Sequence, residues 1–225
     1  MPLETIELHP AAPARASLIV LHGLGADGAD FVPVCDALAL DDLGPVRCIL
    51  PRAPVRPVTI NGGYRMRAWY DILGGEIDAS GGRRHEDEAG LRQSMAEVHA
   101  LIDRERERGV SPGRIVLAGF SQGCAMTLLA GLRYPSRLAG LAGLSGYLPL
   151  AERTADERHA ANHQVPIFLA HGTRDDVVAP ERGRAGHEAL AALGCAVQWH
   201  EYPMGHELCL EEVQALSAWL RQALG

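Results

Sequence analysis

Short apolar runs closed by glycine or proline alternate along this chain with longer segments of helical spacing, and that alternation limits the fold more than any other feature. Ser17-Leu-Ile-Val-Leu21 runs into His22-Gly23, and Val46-Arg-Cys-Ile-Leu50 runs into Pro51. Residues 115–118, 166–170 and 196–200 repeat the pattern. Continuously apolar short stretches are what strands buried on both faces of a parallel sheet look like. Residues 138–144 share that composition, but their leucines recur every third residue, so strand and helix both fit. Between the runs, Leu91, Met95, Val98 and Ile102 are spaced 4, 3, 4 and share one helix face. Glu86, Asp87 and Glu88 open that helix, and Arg104, Arg106 and Arg108 close it before Gly109, as the macrodipole favours. Val213, Leu216, Leu220 and Leu224 mark a C-terminal helix in the same way. Strands alternating with helices imply βαβ units, hence an α/β fold with a mostly parallel sheet and helices on both faces. No repeat or linker interrupts the pattern, so residues 1–225 are expected to form one domain.

Composition excludes several kinds of chemistry. Every one of the 21 basic residues is arginine. Without lysine there is no Walker A lysine, no Schiff-base lysine and no Ser-x-x-Lys acylation pair. A net charge of −7 argues against a nucleic-acid partner. The densest basic run, Arg104-Glu-Arg-Glu-Arg108, alternates in sign and is expected to be a solvated helix face. No apolar run approaches the ~18 residues that a membrane span needs. The N-terminal residues do not resemble a signal peptide. Five cysteines without a Cys-x-x-Cys pair suit neither a disulfide scaffold nor a zinc site, so a cytoplasmic protein with reduced thiols is expected.

The stretch from Pro51 to Gly82 breaks the rhythm with repeated proline and glycine, yet holds Trp69, Tyr70, Ile72, Leu73 and Ile77. That apolar content argues against disorder. The stretch reads as a loop without regular structure, either covering a site or simply packing on the core.

Gly119-Phe-Ser121-Gln-Gly123 carries the strongest chemical signal. A Gly-x-Ser-x-Gly motif between a strand and a helix is a nucleophile elbow: a strained turn lifts the serine hydroxyl off the sheet edge. The flanking glycines leave room where a Cβ would meet the neighbouring strand or helix. The helix N-terminus directs free N–H groups at developing negative charge. A serine needs a base, and the base an orienting carboxylate, in the chain order Ser, acid, His. Both follow strand ends. His171-Gly-Thr-Arg-Asp175-Asp176 offers two adjacent acids that spacing does not separate, and Met204-Gly-His206 offers the base. His22 and His171 precede strand-end glycines and are expected to hold their turns. His200 falls inside a strand. His9, His85, His99, His159, His163 and His187 lie in polar or helical contexts and are expected on the surface. His22-Gly-Leu24-Gly-Ala-Asp-Gly28 does not match a dinucleotide loop; it would supply one oxyanion N–H from Leu24, the other coming from Gln122, with little part for either side chain. Cys124 and Cys209 lie one helical turn beyond Ser121 and His206, where small space-filling thiols are expected.

Together these motifs, with Arg67-Ala-Trp-Tyr-Asp-Ile72, resemble the small bacterial carboxylesterases that group with acyl-protein thioesterases and lysophospholipase-like enzymes among the phospholipase/carboxylesterase α/β-hydrolases. The resemblance spans essentially the whole chain. It implies a compact single-domain α/β-hydrolase with Ser121 as nucleophile, Asp175 rather than Asp176 as acid, and His206 as base. It also implies a short apolar covering loop whose Trp69, Ile72 and Leu73 form part of a substrate pocket. The expected substrate is a small-molecule acyl ester, with an acyl thioester or lysophospholipid as the alternative, and no cofactor or metal. A non-catalytic hydrolase-like binding module is the reading from another class. The family commonly has glycine where Cys124 stands, which would narrow the pocket floor. The oligomeric state stays open, a homodimer included.

Overall fold

The computed structural model describes residues 2–8, 10, 12–74 and 86–225. Among them, nine strands and six α-helices follow one another along the chain as β1 (Thr5–Leu8), β2 (Ala16–Leu21), α1 (Val32–Ala37), β3 (Val46–Pro51), β4 (Val55–Val58), β5 (Tyr64–Arg67), α2 (Glu88–Glu107), β6 (Ile115–Phe120), α3 (Gln122–Arg133), β7 (Gly140–Leu144), α4 (Ala151–Glu157), β8 (Ile167–Gly172), α5 (Pro180–Ala192), β9 (Val197–Tyr202) and α6 (Leu210–Leu224). Seven strands form one sheet in the order β1-β3-β2-β6-β7-β8-β9. All neighbours are parallel except β1, which lies antiparallel to β3 at one edge.

Strand alternation explains why the runs are apolar throughout. Ile19 and Leu21 of β2 point into a core built with α2, α3 and α5, which contribute Leu91, Val98, Ile102, Leu128 and Leu190. Leu18 and Val20 point to the opposite face, where α1 and α6 contribute Cys35, Leu216, Trp219 and Leu220. Successive side chains thus enter two different cores, so a polar residue on a central strand needs a buried partner, as Ser17 of β2 has in Glu105. Residues 140–144 form a strand, which settles the ambiguity of their spacing. Two of its positions are crowded: a Cβ on Gly140 would lie 2.5 Å from the Trp219 ring, and one on Gly143 would lie 2.6 Å from the Cys124 sulfur. The outer strand β9 leaves Gln198 and Glu201 exposed and its other residues half-buried, as suits an edge strand.

Two expectations need correction. The stretch after Pro51 is not devoid of regular structure: β4 and β5 pair as an antiparallel hairpin, turned through Gly62 and Gly63 at φ 65° and 80°. Its proline-rich strand disguises the pairing, since Pro57 reads as a breaker unless it lies on a small two-stranded ribbon. The parts of the stretch at Gly75, Ile77 and Gly81-Gly82, like His9 and His85, lie outside the described residues. The Arg104–Arg108 run is not merely solvated either. Glu105 is fully buried, accepting from the Ser17 hydroxyl at 2.6 Å and pairing with Arg47 at 2.8 Å. It follows Val98 and Leu101 on the inward face of α2. Arg104 and Arg108 both reach Glu7 of β1 at 2.8 Å, so the run fastens the antiparallel edge strand to the helix.

Candidate active site

Ser121, Asp175, His206 and Leu24 all follow the carboxyl ends of parallel strands: β6, β8, β9 and β2 respectively. That end of an open parallel sheet is where loops from several strands converge. Ser121 occupies the turn between β6 and α3 at φ 57°, ψ −117°, a conformation an L-residue holds only under tertiary constraint. The glycines around it are forced by close approach. A Cβ on Gly119 would lie 2.2 Å from the Gly123 oxygen, and one on Gly123 would lie 1.9 Å from the Leu21 oxygen.

The three candidate residues form one hydrogen-bonded series. His206 Nε2 lies 3.0 Å from the Ser121 hydroxyl oxygen, and His206 Nδ1 lies 2.7 Å from Asp175 Oδ2. With the Nδ1 proton donated to the carboxylate, Nε2 is the acceptor facing the hydroxyl. Asp175 is only 5% exposed, and its other oxygen accepts from the Val177 and Val178 backbone N–H groups at 2.9 and 2.8 Å. These donors satisfy the oxygen that the imidazole does not reach. Asp176, which spacing could not distinguish, is exposed. The Phe120 ring packs 4.7 Å from the imidazole and limits its rotation.

His22 and His171 do hold turns, as expected. His22 donates from Nδ1 to the Gly23 oxygen at 2.7 Å and accepts at Nε2 from Ala53 N–H at 3.0 Å. Burial pushes its pKa down, which suits that neutral tautomer. His171 bonds the Val178 oxygen at 2.8 Å, bracing the turn that carries Asp175. His99, expected on the surface, is half-buried and bonds the Ala130 oxygen at 2.9 Å.

Leu24 and Gln122 both border the space in front of Ser121, and among the described residues neither backbone N–H has a protein acceptor. The Gln122 side chain, expected to matter little, is a clamp. Its oxygen accepts from Trp69 N–H and its nitrogen donates to the Tyr70 oxygen, both at 3.0 Å. Ser94 donates to the Trp69 oxygen, and Asp87 accepts from Asp71 N–H at 2.9 Å. The covering segment is thereby bound to the elbow and to α2. A polar residue at the first position of a helix whose next four residues are apolar was the available signal.

Two cavities meet at Ser121 and His206. One, of about 400 Å³, is bordered by Tyr70, Ile72, Leu73, Tyr147 and Val178. The other, of about 380 Å³, is bordered by Gly23, Phe31, Val34, Phe120 and Leu208. Ile72 and Leu73 thus lie where the sequence placed them. Trp69 does not: it is fully buried beneath the segment, with its indole N–H donated to the His22 oxygen at 2.8 Å. The chain bends at residues 69 and 70, and Trp69 goes inward while Tyr70 reaches the cavity. Cys124 does not form the floor of either cavity. It packs on Gly143 and Gly146 beside a void of about 10 Å³, and burial pushes its thiol up to about 12.

A strand–serine–helix elbow on a mostly parallel sheet, joined to a histidine and a buried aspartate from later strand ends, defines an α/β-hydrolase. The chain belongs to the phospholipase/carboxylesterase family, whose model matches residues 4–224. It is 42% identical to acyl-protein thioesterase 1 of Gibberella zeae, over 96% of this chain and 94% of that one. Its structure is similar to that of Zea mays acyl-protein thioesterase 2, with a TM-score of 0.84 and 30% identity over 99% of both chains. It is also similar to Arabidopsis thaliana SOBER1, with a TM-score of 0.87 and 32% identity over 94% of this chain and 100% of that one.

Proposed function

We propose that this chain is a serine hydrolase that releases acyl groups through an acyl-enzyme on Ser121, with thioesters as the preferred substrate and carboxylic esters turned over by the same machinery. The observation that carries the chemistry is the continuous Ser121–His206–Asp175 hydrogen-bond series where the two cavities meet. The names of the fungal and maize relatives favour the thioester.

In this reading the acyl chain occupies the cavity of Ile72 and Leu73, and the leaving group occupies the cavity of Phe31 and Val34. Ser121 Oγ attacks the acyl carbon while His206 Nε2 takes its proton. Asp175 holds the imidazole in position and stabilises its charged form. The Leu24 and Gln122 N–H groups bind the oxyanion. The departing thiolate or alkoxide takes the proton from His206. Water then attacks the acyl carbon with His206 as base, restoring Ser121 and releasing the acid. The five free thiols suit a reducing compartment, and we infer the cytoplasm.

A fluorophosphonate probe should label the protein at Ser121, and Ser121→Ala should lose kcat by about 10⁴-fold or more without loss of fold. Turnover should be higher for an acyl-thioester peptide than for an oxoester of the same acyl chain. A Ser121→Ala protein that keeps most of its activity would refute the mechanism. A strong oxoester preference would leave the mechanism and overturn only the substrate.

A further inference from the structure

The acyl cavity is not lined by apolar groups alone. Tyr70, Tyr147 and Arg182 share one part of its wall. The two tyrosine hydroxyls lie 2.7 Å apart, and the Arg182 guanidinium carbon sits 3.6 Å from the centre of the Tyr147 ring. Arg182 is placed by the first turn of α5, directly after the loop that carries Asp175. It is the one guanidinium among the described residues that borders the cavity, and among those residues it has no carboxylate within ion-pair distance.

Stacking on the Tyr147 ring occupies the face of the guanidinium and leaves its N–H edge as a set of donors. An alkyl chain filling this space would strip water from those donors and return nothing, which is costly. An oxygen acceptor on the chain would satisfy them. The charge of that acceptor is limited by three carboxyl groups on the same cavity: Asp71, Glu86 and Asp87. Asp71 is engaged by the Thr59 N–H and hydroxyl, Asp87 by the Gly90 and Asp71 N–H groups, and Glu86 by Leu150 N–H. These acids have donors of their own and would repel an anion, whereas among the described residues the Arg182 edge has the Tyr147 hydroxyl as its side-chain acceptor and most of its N–H groups have none.

We propose that Arg182 makes this enzyme select acyl groups that carry a neutral oxygen acceptor, a hydroxyl, ketone or ether along the chain, over plain alkyl groups of the same length. Tyr147 is a positioning residue that fixes the plane of the guanidinium. The inference rests on the acyl-hydrolase reading above and names its substrate class.

The test uses nitrophenyl esters of one chain length whose far end is methyl, hydroxyl, methyl ketone or carboxylate. In the wild-type protein kcat/KM for the hydroxyl- and ketone-ended esters should exceed that for the methyl-ended one by about tenfold. In Arg182→Met the ratio should fall to one or below, with the methyl-ended ester hydrolysed faster than by wild type. Tyr147→Leu should lower the ratio and Tyr147→Phe should keep most of it. Labelling of Ser121 by the fluorophosphonate shows which variants remain folded; should Arg182→Met fail to label, the Tyr147 pair decides. A wild-type ratio of one or less, or a ratio that survives both Arg182→Met and Tyr147→Leu, overturns the inference. A carboxylate-ended ester that is fastest and depends on Arg182 overturns it in favour of anion recognition. Wild-type protein that takes no probe and hydrolyses none of the esters overturns the hydrolase reading, and this inference with it.

Discussion

Glu212 stands in the first turn of α6, six residues after His206, with none of its surface exposed. Burial outweighs the opposing Cys209 backbone N–H and raises its pKa to about 8. A carboxyl whose folded pKa exceeds its unfolded value binds more protons folded than unfolded. Its contribution to stability is therefore complete below the ordinary glutamate range and is lost as pH rises toward 8, at up to about 1.4 kcal/mol per pH unit. In Glu212→Gln, thermal unfolding measured from pH 5 to 8 should lack this slope. A variant with the same slope as wild type would show that the carboxyl is not the group responsible. Gln122 teaches the complementary lesson. Its backbone role could be read from the Gly-x-Ser-x-Gly pattern, but its side-chain clamp on residues 69 and 70 could not, because the partners are more than fifty positions away.

At the scale of elements, the elbow is the junction where local sequence and long-range packing agree most closely. Gly119 and Gly123 were expected to be glycine because of crowding, and the atoms that crowd them are the Gly123 and Leu21 carbonyls. A backbone oxygen on a central strand moves only if the strand moves. Gly123→Ala should therefore cost about 3 kcal/mol. For a chain of this size that corresponds to a melting point lower by roughly 6–12 °C. Probe labelling at Ser121 should fall with it, because α3 must pull away from β2. An unchanged melting point would mean that the elbow is looser than its contacts indicate. The β4–β5 hairpin and α2 show the limits of local pattern. Hairpin pairing depended on a partner strand that residues 55–58 do not reveal. The burial of Glu105 depended on Ser17 and Arg47, which the chain brings to it from distant strands.

For the molecule as a whole, the proposed function depends on two cavities that meet at one serine. Ser121, His206 and Leu24 border both, so in the proposed mechanism a substrate spanning them would have its scissile bond at Ser121. If the leaving group occupies the smaller cavity, filling that space should affect leaving-group dependence alone. Val34→Phe should lower kcat/KM about tenfold for thioesters with a bulky thiol, while the order of preference among acyl chains stays as in wild type. A shift in acyl preference instead would exchange the assignments of the two cavities.

The sequence by itself determined the parallel sheet, since strands that feed two cores must be apolar at nearly every position. It also determined the order and the strand-end placement of Ser121, Asp175 and His206, because the elbow needs its glycines locally and the partners must follow later strands. Between Asp175 and Asp176, residue spacing was silent; family resemblance chose Asp175, and burial with two backbone donors distinguishes it in three dimensions. Only tertiary structure decided that Trp69 turns inward while Tyr70 faces the cavity. It likewise decided that Cys124 packs away from the site, and that Arg182 stacks on Tyr147 at the wall of the cavity bordered by Ile72 and Leu73. Each of these depends on which way a side chain points relative to neighbours far along the chain, and spacing within one element carries no information about that.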